Sequence, residues 1–366
     1  MIPTGSTIGI LGGGQLGRML AIAAAPLGYS CHLFCPEDDA PAAEVCAKHT
    51  VAKYENIDAL MSFAQSIDVV TYEFENVPSN AIQLIEQLRP VRPGKKSLTI
   101  TSNRRKEKQF ATQNDISVAS WQEVKERRFL GSAIKKIGVP SILKSEESGY
   151  DGKGQYTITS TENSELDLAW QKVGNVPAIL EEKIDFEQEI SVIIARGIDN
   201  STKCYSPIFN VHKDGILDYS LSPAPINNRM KKKAEQIAMV AAESLDHIGV
   251  LCVELFLTKN KELLLNEIAP RVHNSGHLTI EAYKTSQFTQ HIRAIVGLQL
   301  RDCLQQSNAA MKNLIGRDID FWEKMDTNGE PSVHLYGKKE VRTGRKMGHV
   351  TWLYPTSQDP YIPIDF

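Results

Sequence analysis

Apolar positions in this chain come in short runs, separated by stretches with helical spacing. Residues 6–12 form a short apolar run ending in glycines, and Gln15–Ile22 follows with the period of an amphipathic helix. Further strands are predicted at Ser30–Cys35 and Asp68–Glu73, with helical patterns at 56–66 and 79–89. Strands alternating with helices of this length predict a parallel sheet, with ligands at the carboxyl ends of its strands. Pro90 and Pro93-Gly94 close the unit.

A basic helix is predicted at 103–113, then strands at 139–144 and 155–159, with glycines clustered at 149–154 between them. After a helix near 163–172 come strands at 177–183 and 187–195. Apolar runs this dense, with no helix between them, suggest antiparallel sheet. A helix at 229–247 precedes a hairpin, Val250–Thr258 and Leu263–Ile268, and the last 40 residues read as short strands.

Composition narrows the class. The 366 residues allow two to three domains, and 42% apolar with 23% charged residues is ordinary globular usage. Forty-one Lys+Arg against 44 Asp+Glu leave a net charge of −3, so no global positive field holds nucleic acid. No apolar run approaches the roughly 18 residues of a membrane span, and the start lacks a secretory pattern. Cys31, Cys35, Cys46, Cys204, Cys252 and Cys303 show no CxxC spacing, which points to reduced thiols and a cytoplasmic location.

Three segments carry candidate chemistry. Gly12-Gly13-Gly14-Gln15-Leu16-Gly17 satisfies the dinucleotide fingerprint, with Glu37 placed as its acid, so an NAD-dependent oxidoreductase is one reading and a tight packing turn the other. The loop Gly149-Tyr150-Asp151-Gly152-Lys153-Gly154-Gln155 could bring backbone N–H groups to a phosphate, with Lys144 beside it. It is not a Walker A sequence, and a plain glycine hairpin is the alternative.

The third is a pair of acids. If Lys259-Asn260-Lys261-Glu262 closes the hairpin, Thr258 faces Leu263 and Glu254 faces Glu267. Opposed side chains lie roughly 4.5–5.5 Å apart at Cβ, where like charges destabilise the pair. Their predicted same-face neighbours, Cys252, Phe256, Leu265 and Ala269, offer little screening. A divalent cation removes the conflict, and carboxylate oxygens suit magnesium bridging phosphates, with Asn266 adjacent. Two solvated glutamates are the simpler alternative. Arg271, His273, Asn274, Ser275 and His277 follow as a polar loop, and Lys338, Arg345 and Lys346 add cations that could hold a substrate phosphate, with a solvated face as the alternative.

Together these segments resemble the ATP-grasp superfamily, and within it the 5-(carboxyamino)imidazole ribonucleotide synthetases of purine biosynthesis. The resemblance rests on GGGQLGRM (12–19), TYEFENVP (71–78), GYDGKGQ (149–155), EEKI (181–184), Asn266-Glu267, HNSGH (273–277) and RKMGHV (345–350). It implies an α/β and α+β fold of three units. These are a Rossmann-like parallel-sheet domain (1–95), an ATP-grasp lid (96–180) and a mixed-sheet C-terminal domain (181–366).

The resemblance further implies that ATP lies between two sheets, near Arg104, Lys144, the 149–155 loop, Glu181, Glu182, Lys183, Ile184, Glu189, His212, Asn266 and Glu267. Glu254 and Glu267 would hold Mg²⁺. Aminoimidazole ribonucleotide would meet Gln15, Leu16, Glu73, Glu75 and Asn76, together with His273, Asn274, Ser275, Lys338, Arg345 and Lys346. The implied reaction carboxylates that amine with ATP and bicarbonate through carboxyphosphate. Asp151, Lys153, Arg271 and Lys338 are its catalytic candidates. A homodimer follows from the resemblance, and the end at Phe366 leaves no fused partner domain in this reading.

Ser148, Lys153 and Leu278 depart from the family pattern, where glycine, arginine and tryptophan are frequent. Relatives on the same fold, such as formate-using transformylases, share the ATP residues, so only the substrate-side motifs separate them. A non-catalytic nucleotide-binding protein would lack the metal acids. An NAD enzyme leaves both the acid pair and the glycine loop unexplained.

Overall fold

The computed structural model describes residues 1–147, 149, 153–323 and 330–363. Its first unit is a four-stranded parallel sheet in the order β3-β2-β1-β4. The strands are β1 (Thr7–Leu11), β2 (Ser30–Cys35), β3 (Lys48–Val51) and β4 (Val69–Tyr72). Strands β1, β2 and β4 are buried almost throughout, as a sheet covered on both faces requires. Helices α1 (Gln15–Ala24), α2 (Ile57–Gln65) and α3 (Ser79–Glu86) flank it.

Helices α4 (Lys95–Thr101) and α5 (Arg104–Gln113) lead out of this unit. Helix α5 starts where it does because the Asn103 side chain accepts the Lys106 N–H at 3.0 Å, meeting a donor the helix itself leaves open. A second sheet, β5-β8-β6-β7, forms the lid. It comprises β5 (Trp121–Val124), β6 (Ser141–Ser145), β7 (Gln155–Ile158) and β8 (Ala178–Glu182), backed by α6 (Arg127–Ile137) and α7 (Asn163–Lys172). Leu130, Ile134, Leu143, Leu166 and Leu180 belong to the lid's own apolar core. Burying each such side chain stabilises by roughly 1.5–3 kcal/mol.

The third sheet has nine strands among the described residues. They begin with β9 (Phe186–Arg196), β10 (Thr202–Cys204), β11 (Ile208–Lys213) and β12 (Ile216–Ser222). After α8 (Asn228–Ser244) come β13 (Gly249–Thr258) and β14 (Leu263–Ala269). The short α9 (Thr279–Ala282) and α10 (Gln287–Val296) precede β15 (Asn308–Ile315), β16 (Ser332–Leu335) and β17 (Lys346–Tyr354). Leu16, Met19 and Leu20 of α1 share one apolar cluster with Ile292 and Ile295 of α10, so the first and third units have a common core.

Three sequence expectations change. The predicted strands at 177–183 and 187–195 become β8 and β9, which lie in different antiparallel sheets. The expected domain limit at 180/181 falls inside β8, whose last residues Glu181 and Glu182 still pair with Ile142 and Ser141. The hairpin turn is also one residue shorter than predicted. Thr258 N–H donates to Glu262 O at 2.9 Å, and Lys261 sits at φ 62, a left-handed position typical of three-residue hairpin loops.

Candidate active site

The three units enclose one cavity of about 610 Å³. The shortened turn alone would set Glu254 off from Glu267. A bulge corrects this: Leu257 pairs with Leu263 and Leu255 with Leu265, Asn266 is the extra residue, and Glu254 then pairs with Glu267. Leu265 therefore packs with Leu255 in the core on the other face, not beside the acids as predicted. Asn266 turns into the cavity instead, next to Glu267.

The two acids are held differently. Burial pushes Glu254 up, but His273, with Nε2 2.9 Å from its Oε1, and then His212 and Arg271 outweigh it and hold the carboxyl below its usual range. Glu267 is raised, first by burial and then by the charge of Glu254. Glu254, Glu267 and the Asn266 amide offer oxygen donors suited to a hard divalent cation. Cys252 also lies near Glu254 and His273, but it is fully buried and its thiol is pushed well up, which leaves it a poor partner for such an ion.

Lid residues face these acids. The Lys144 ammonium lies 2.6 Å from Glu181, and Arg104 donates to the carbonyls of Ser145 and Gly149 at 2.9 and 3.1 Å. Position 149 needs glycine for this approach, because a Cβ there would stand 2.6 Å from Arg104 Nη1. Lys153 and Gln155 line the cavity with Gly149, whereas Gly154 does not. Ser148, Tyr150, Asp151 and Gly152 lie outside the described residues. On the large sheet, His212 Nδ1 and Glu189 form a close pair that raises the imidazole despite its burial.

Across the cavity stands the first unit, with Gln15, Leu16, Glu73, Glu75 and Asn76 in its wall. Arg271 reaches over to Glu75 at 2.7 Å, which outweighs burial and lowers the Glu75 carboxyl. The glycine turn is already filled. Gly14 and Gly17 N–H both donate to the Glu73 carboxylate, the second at 2.7 Å, and a Cβ on Gly14 would sit 2.7 Å from Glu73 Oε1. A dinucleotide phosphate would have to displace that acid, so the NAD reading loses its anchor.

Several predicted residues occupy other positions. Ser275 is fully buried and bonds Ser191 at 2.7 Å and His273 Nδ1 at 2.9 Å, so it orients His273 instead of reaching a substrate. The Glu181 side chain is locked between Lys108 and Lys144. Glu182 ends β8, Lys183 and Ile184 lead on toward β9, and none of the three lines the cavity. Of the three predicted C-terminal cations, Lys346 lines it, while Lys338 donates to Lys346 O at 2.6 Å and Arg345 to Glu340 O at 2.9 Å. Asn274 lines the cavity, and its buried amide has no hydrogen-bond partner among the described residues. Leu278, the departure beside this loop, is buried in the core.

The sequence reading missed other wall residues. Phe186 and Phe256 stack with ring centroids 4.7 Å apart at 9°, forming a flat apolar wall. Glu107, buried and pushed up to about 8 by desolvation, accepts the Ile268 N–H at 2.7 Å. Glu107 and Lys108 read in sequence as part of a basic helix. The aromatic pair had a usable signal, since Phe256 had been placed on the acids' face.

Known proteins match along most of the chain. Residues 5–102 match the ribonucleotide synthetase preATP-grasp domain, 109–288 the ATP-grasp domain, and 309–359 the phosphoribosylaminoimidazole carboxylase C-terminal domain. The N5-carboxyaminoimidazole ribonucleotide synthase of Brucella melitensis is 44% identical over 351 residues, covering 96% of this chain and 97% of that protein. A bifunctional purine synthesis protein of Dictyostelium discoideum is 43% identical over 96% of this chain, which spans only 37% of it. An ADP complex of an N5-carboxyaminoimidazole ribonucleotide synthetase superposes with a TM-score of 0.93 at 40% identity, covering 96% of this chain and 93% of the other. An Aspergillus clavatus enzyme in complex with ADP and 5-aminoimidazole ribonucleotide gives 0.90 at 29%, with 96% and 95% covered. With its acid pair, lid and full-length matches, the chain belongs to the N5-carboxyaminoimidazole ribonucleotide synthase family, ATP-dependent ligases that carboxylate 5-aminoimidazole ribonucleotide in purine biosynthesis.

Proposed function

We propose that the cavity binds ATP on its lid side and the aminoimidazole ribonucleotide against the first unit, and transfers a carboxyl group between them. The observation that carries this is a cavity lined together by Lys144 of the lid, Arg104 of α5, Glu254 and Glu267 of the large sheet, and Glu75 of the first unit. On this reading the adenine packs on Phe186 and Phe256 and the ribose hydroxyls meet Glu189. Lys144, Arg104 and Lys153 neutralise the phosphates, with Tyr150, Asp151 and Gly152 of the same loop assigned there from sequence alone.

Glu254, Glu267 and Asn266 would hold Mg²⁺, which when bound would neutralise charge developing on the phosphates. Bicarbonate, fixed by Arg271, His273 and Asn274, attacks the γ-phosphorus; ADP leaves and carboxyphosphate remains. Its carboxyl group then passes to the exocyclic amine, with release of phosphate. Arg271 stays cationic for this role because Glu75 lies against it. The lid must exclude water while the acyl phosphate exists. Asp151 and Lys153 handle proton and charge at the reacting centre, and Lys346 meets the ribonucleotide phosphate, with Lys338 and Arg345 supporting it.

We take the chain as three units, with the lid extended through Glu182, acting as a cytoplasmic homodimer. No helix among the described residues is long and apolar enough to cross a membrane. Light scattering on a gel-filtration peak tests the dimer, and a monomer mass refutes it. The function itself is tested by ADP release from ATP and bicarbonate, with and without 5-aminoimidazole ribonucleotide. Strong stimulation by the ribonucleotide is expected; its absence, with ATP binding intact, would leave another ligase of the same fold as the better account.

A further inference from the structure

Helix α5 contributes a buried cation that the mechanism above does not use. Lys108 is 2% exposed. Its ammonium has three N–H donors, and three acceptors surround it: Glu181 Oε1 at 2.8 Å, Asn266 O at 2.8 Å and Leu265 O at 3.3 Å. Two of these are the carbonyls at the β14 bulge, where the ladder is interrupted and backbone groups need other partners. The third is the carboxylate whose other oxygen lies 2.6 Å from Lys144. One turn earlier on the same helix, Arg104 enters the cavity. Glu107 grips β14 again through the Ile268 N–H.

We propose that Lys108 is a positioning residue for the carboxylation. It holds the bulge that aims Asn266 and Glu267 into the cavity and, through Glu181, fixes where Lys144 stands. The inference rests on the reading that Glu267 and Lys144 face the triphosphate. A charge this deep is costly to bury unless fully paired, and the pairing here spans the lid, α5 and the strand carrying Glu267. A purely apolar residue would fill the space without setting the distance between the lysine and the acids.

The test is Lys108→Met in the intact chain. ADP binding is titrated calorimetrically at a series of free Mg²⁺ concentrations, and ADP release is measured at saturating substrates. The Mg²⁺ needed for half-maximal ADP binding should rise at least tenfold and kcat fall at least tenfold. The KM for 5-aminoimidazole ribonucleotide should stay within twofold, because Lys108 touches nothing on that wall. A folded variant with wild-type Mg²⁺ dependence overturns the proposal, whether or not its activity falls. If Lys108→Met does not fold, Lys108→Gln keeps a donor for the carbonyls but no charge for Glu181, and should show the same shift. Failure of both to fold makes Lys108 a residue of the fold alone and also overturns the proposal. Glu267→Gln is assayed in parallel: if it retains full activity, the underlying site reading fails, whatever Lys108 does.

Discussion

Glu254 and Glu267 stand directly opposite each other on adjacent antiparallel strands, one residue inward of a β-bulge. The bulge gives the cavity four consecutive wall residues, Asn266, Glu267, Ile268 and Ala269, where a regular strand would alternate between faces. It also sets two carboxylates against each other, an arrangement that costs stability in the protein alone. His273 already pairs with Glu254, so the conflict falls on Glu267, whose carboxyl is raised by burial and by Glu254.

Replacing Glu267 with Gln should therefore separate function from stability. Ribonucleotide-dependent ADP release is expected to fall at least about 100-fold, on the scale of losing one group that stabilises transition-state charge. Without divalent cation, the variant should be as stable as wild type or more so by about 0.2–1 kcal/mol, since a like-charge cross-strand pair is gone. Urea unfolding in EDTA reads the second quantity. A clear loss of stability there would mean that the acids are not in conflict.

Much of this arrangement was legible in the sequence. Strand β2 has the predicted bounds, and Asn103 marks the start of α5. The acid pairing was reached through an incorrect turn, because the shorter loop and the bulge compensate each other. Spacing alone cannot register two such irregularities. Lys108 and Glu107 were hidden for another reason. Their partners lie far along the chain, with Lys108 157 residues from Leu265 and Glu107 161 from Ile268, and no local pattern distinguishes a buried charge from a solvated one. Glu73 lines the cavity beside Glu75, and its bonds to Gly14 and Gly17, which also join the end of β4 to the start of α1, span a chain separation that no local pattern registers.

Gly149→Ala tests the closeness of Arg104 to the lid loop. The new methyl would stand within 2.6 Å of the guanidinium and force it from the Ser145 and Gly149 carbonyls. The KM for ATP should rise about tenfold with kcat changed less than threefold, since a misplaced cation weakens ground-state and transition-state binding alike. Steady-state kinetics over a range of ATP concentrations measures the split. An unchanged KM would place Arg104 away from the nucleotide.

Phe256→Ala removes one ring of the stacked pair. If that wall receives the adenine, ADP affinity should fall about 5–20-fold, in keeping with roughly 1–2 kcal/mol for a lost aromatic face. Calorimetry with ADP at saturating Mg²⁺ checks it. Equal affinity in wild type and variant would move the base elsewhere in the cavity.

The seam between the first and third units predicts an acid-sensitive fold. Val250 sits between two fully buried histidines: its N–H donates to His291 Nδ1 at 3.0 Å, and its carbonyl is 2.9 Å from His247 Nε2. With Nδ1 accepting, the His291 Nε2–H is left to donate to Thr71 Oγ1 at 2.8 Å; His247 Nδ1 lies 2.8 Å from Ser97 Oγ. His291 must be neutral to accept the Val250 N–H, and burial disfavours charge on either ring, bringing both down to about 3 from a normal 6.5. A depressed histidine means that the unfolded chain binds the extra proton first. Stability is therefore fully present above about pH 6.5 and falls as pH drops from there toward 3, by about 1.4 kcal/mol per pH unit for each ring. His291→Gln keeps an acceptor for Val250 and a donor for Thr71 but cannot titrate. Urea unfolding at pH 7.5, 6.5 and 5.5 should show its stability falling less steeply than wild type, by about one proton's share of the slope below pH 6.5. Parallel pH profiles for the two proteins would show that His291 takes up its proton in the folded state as easily as in the unfolded one.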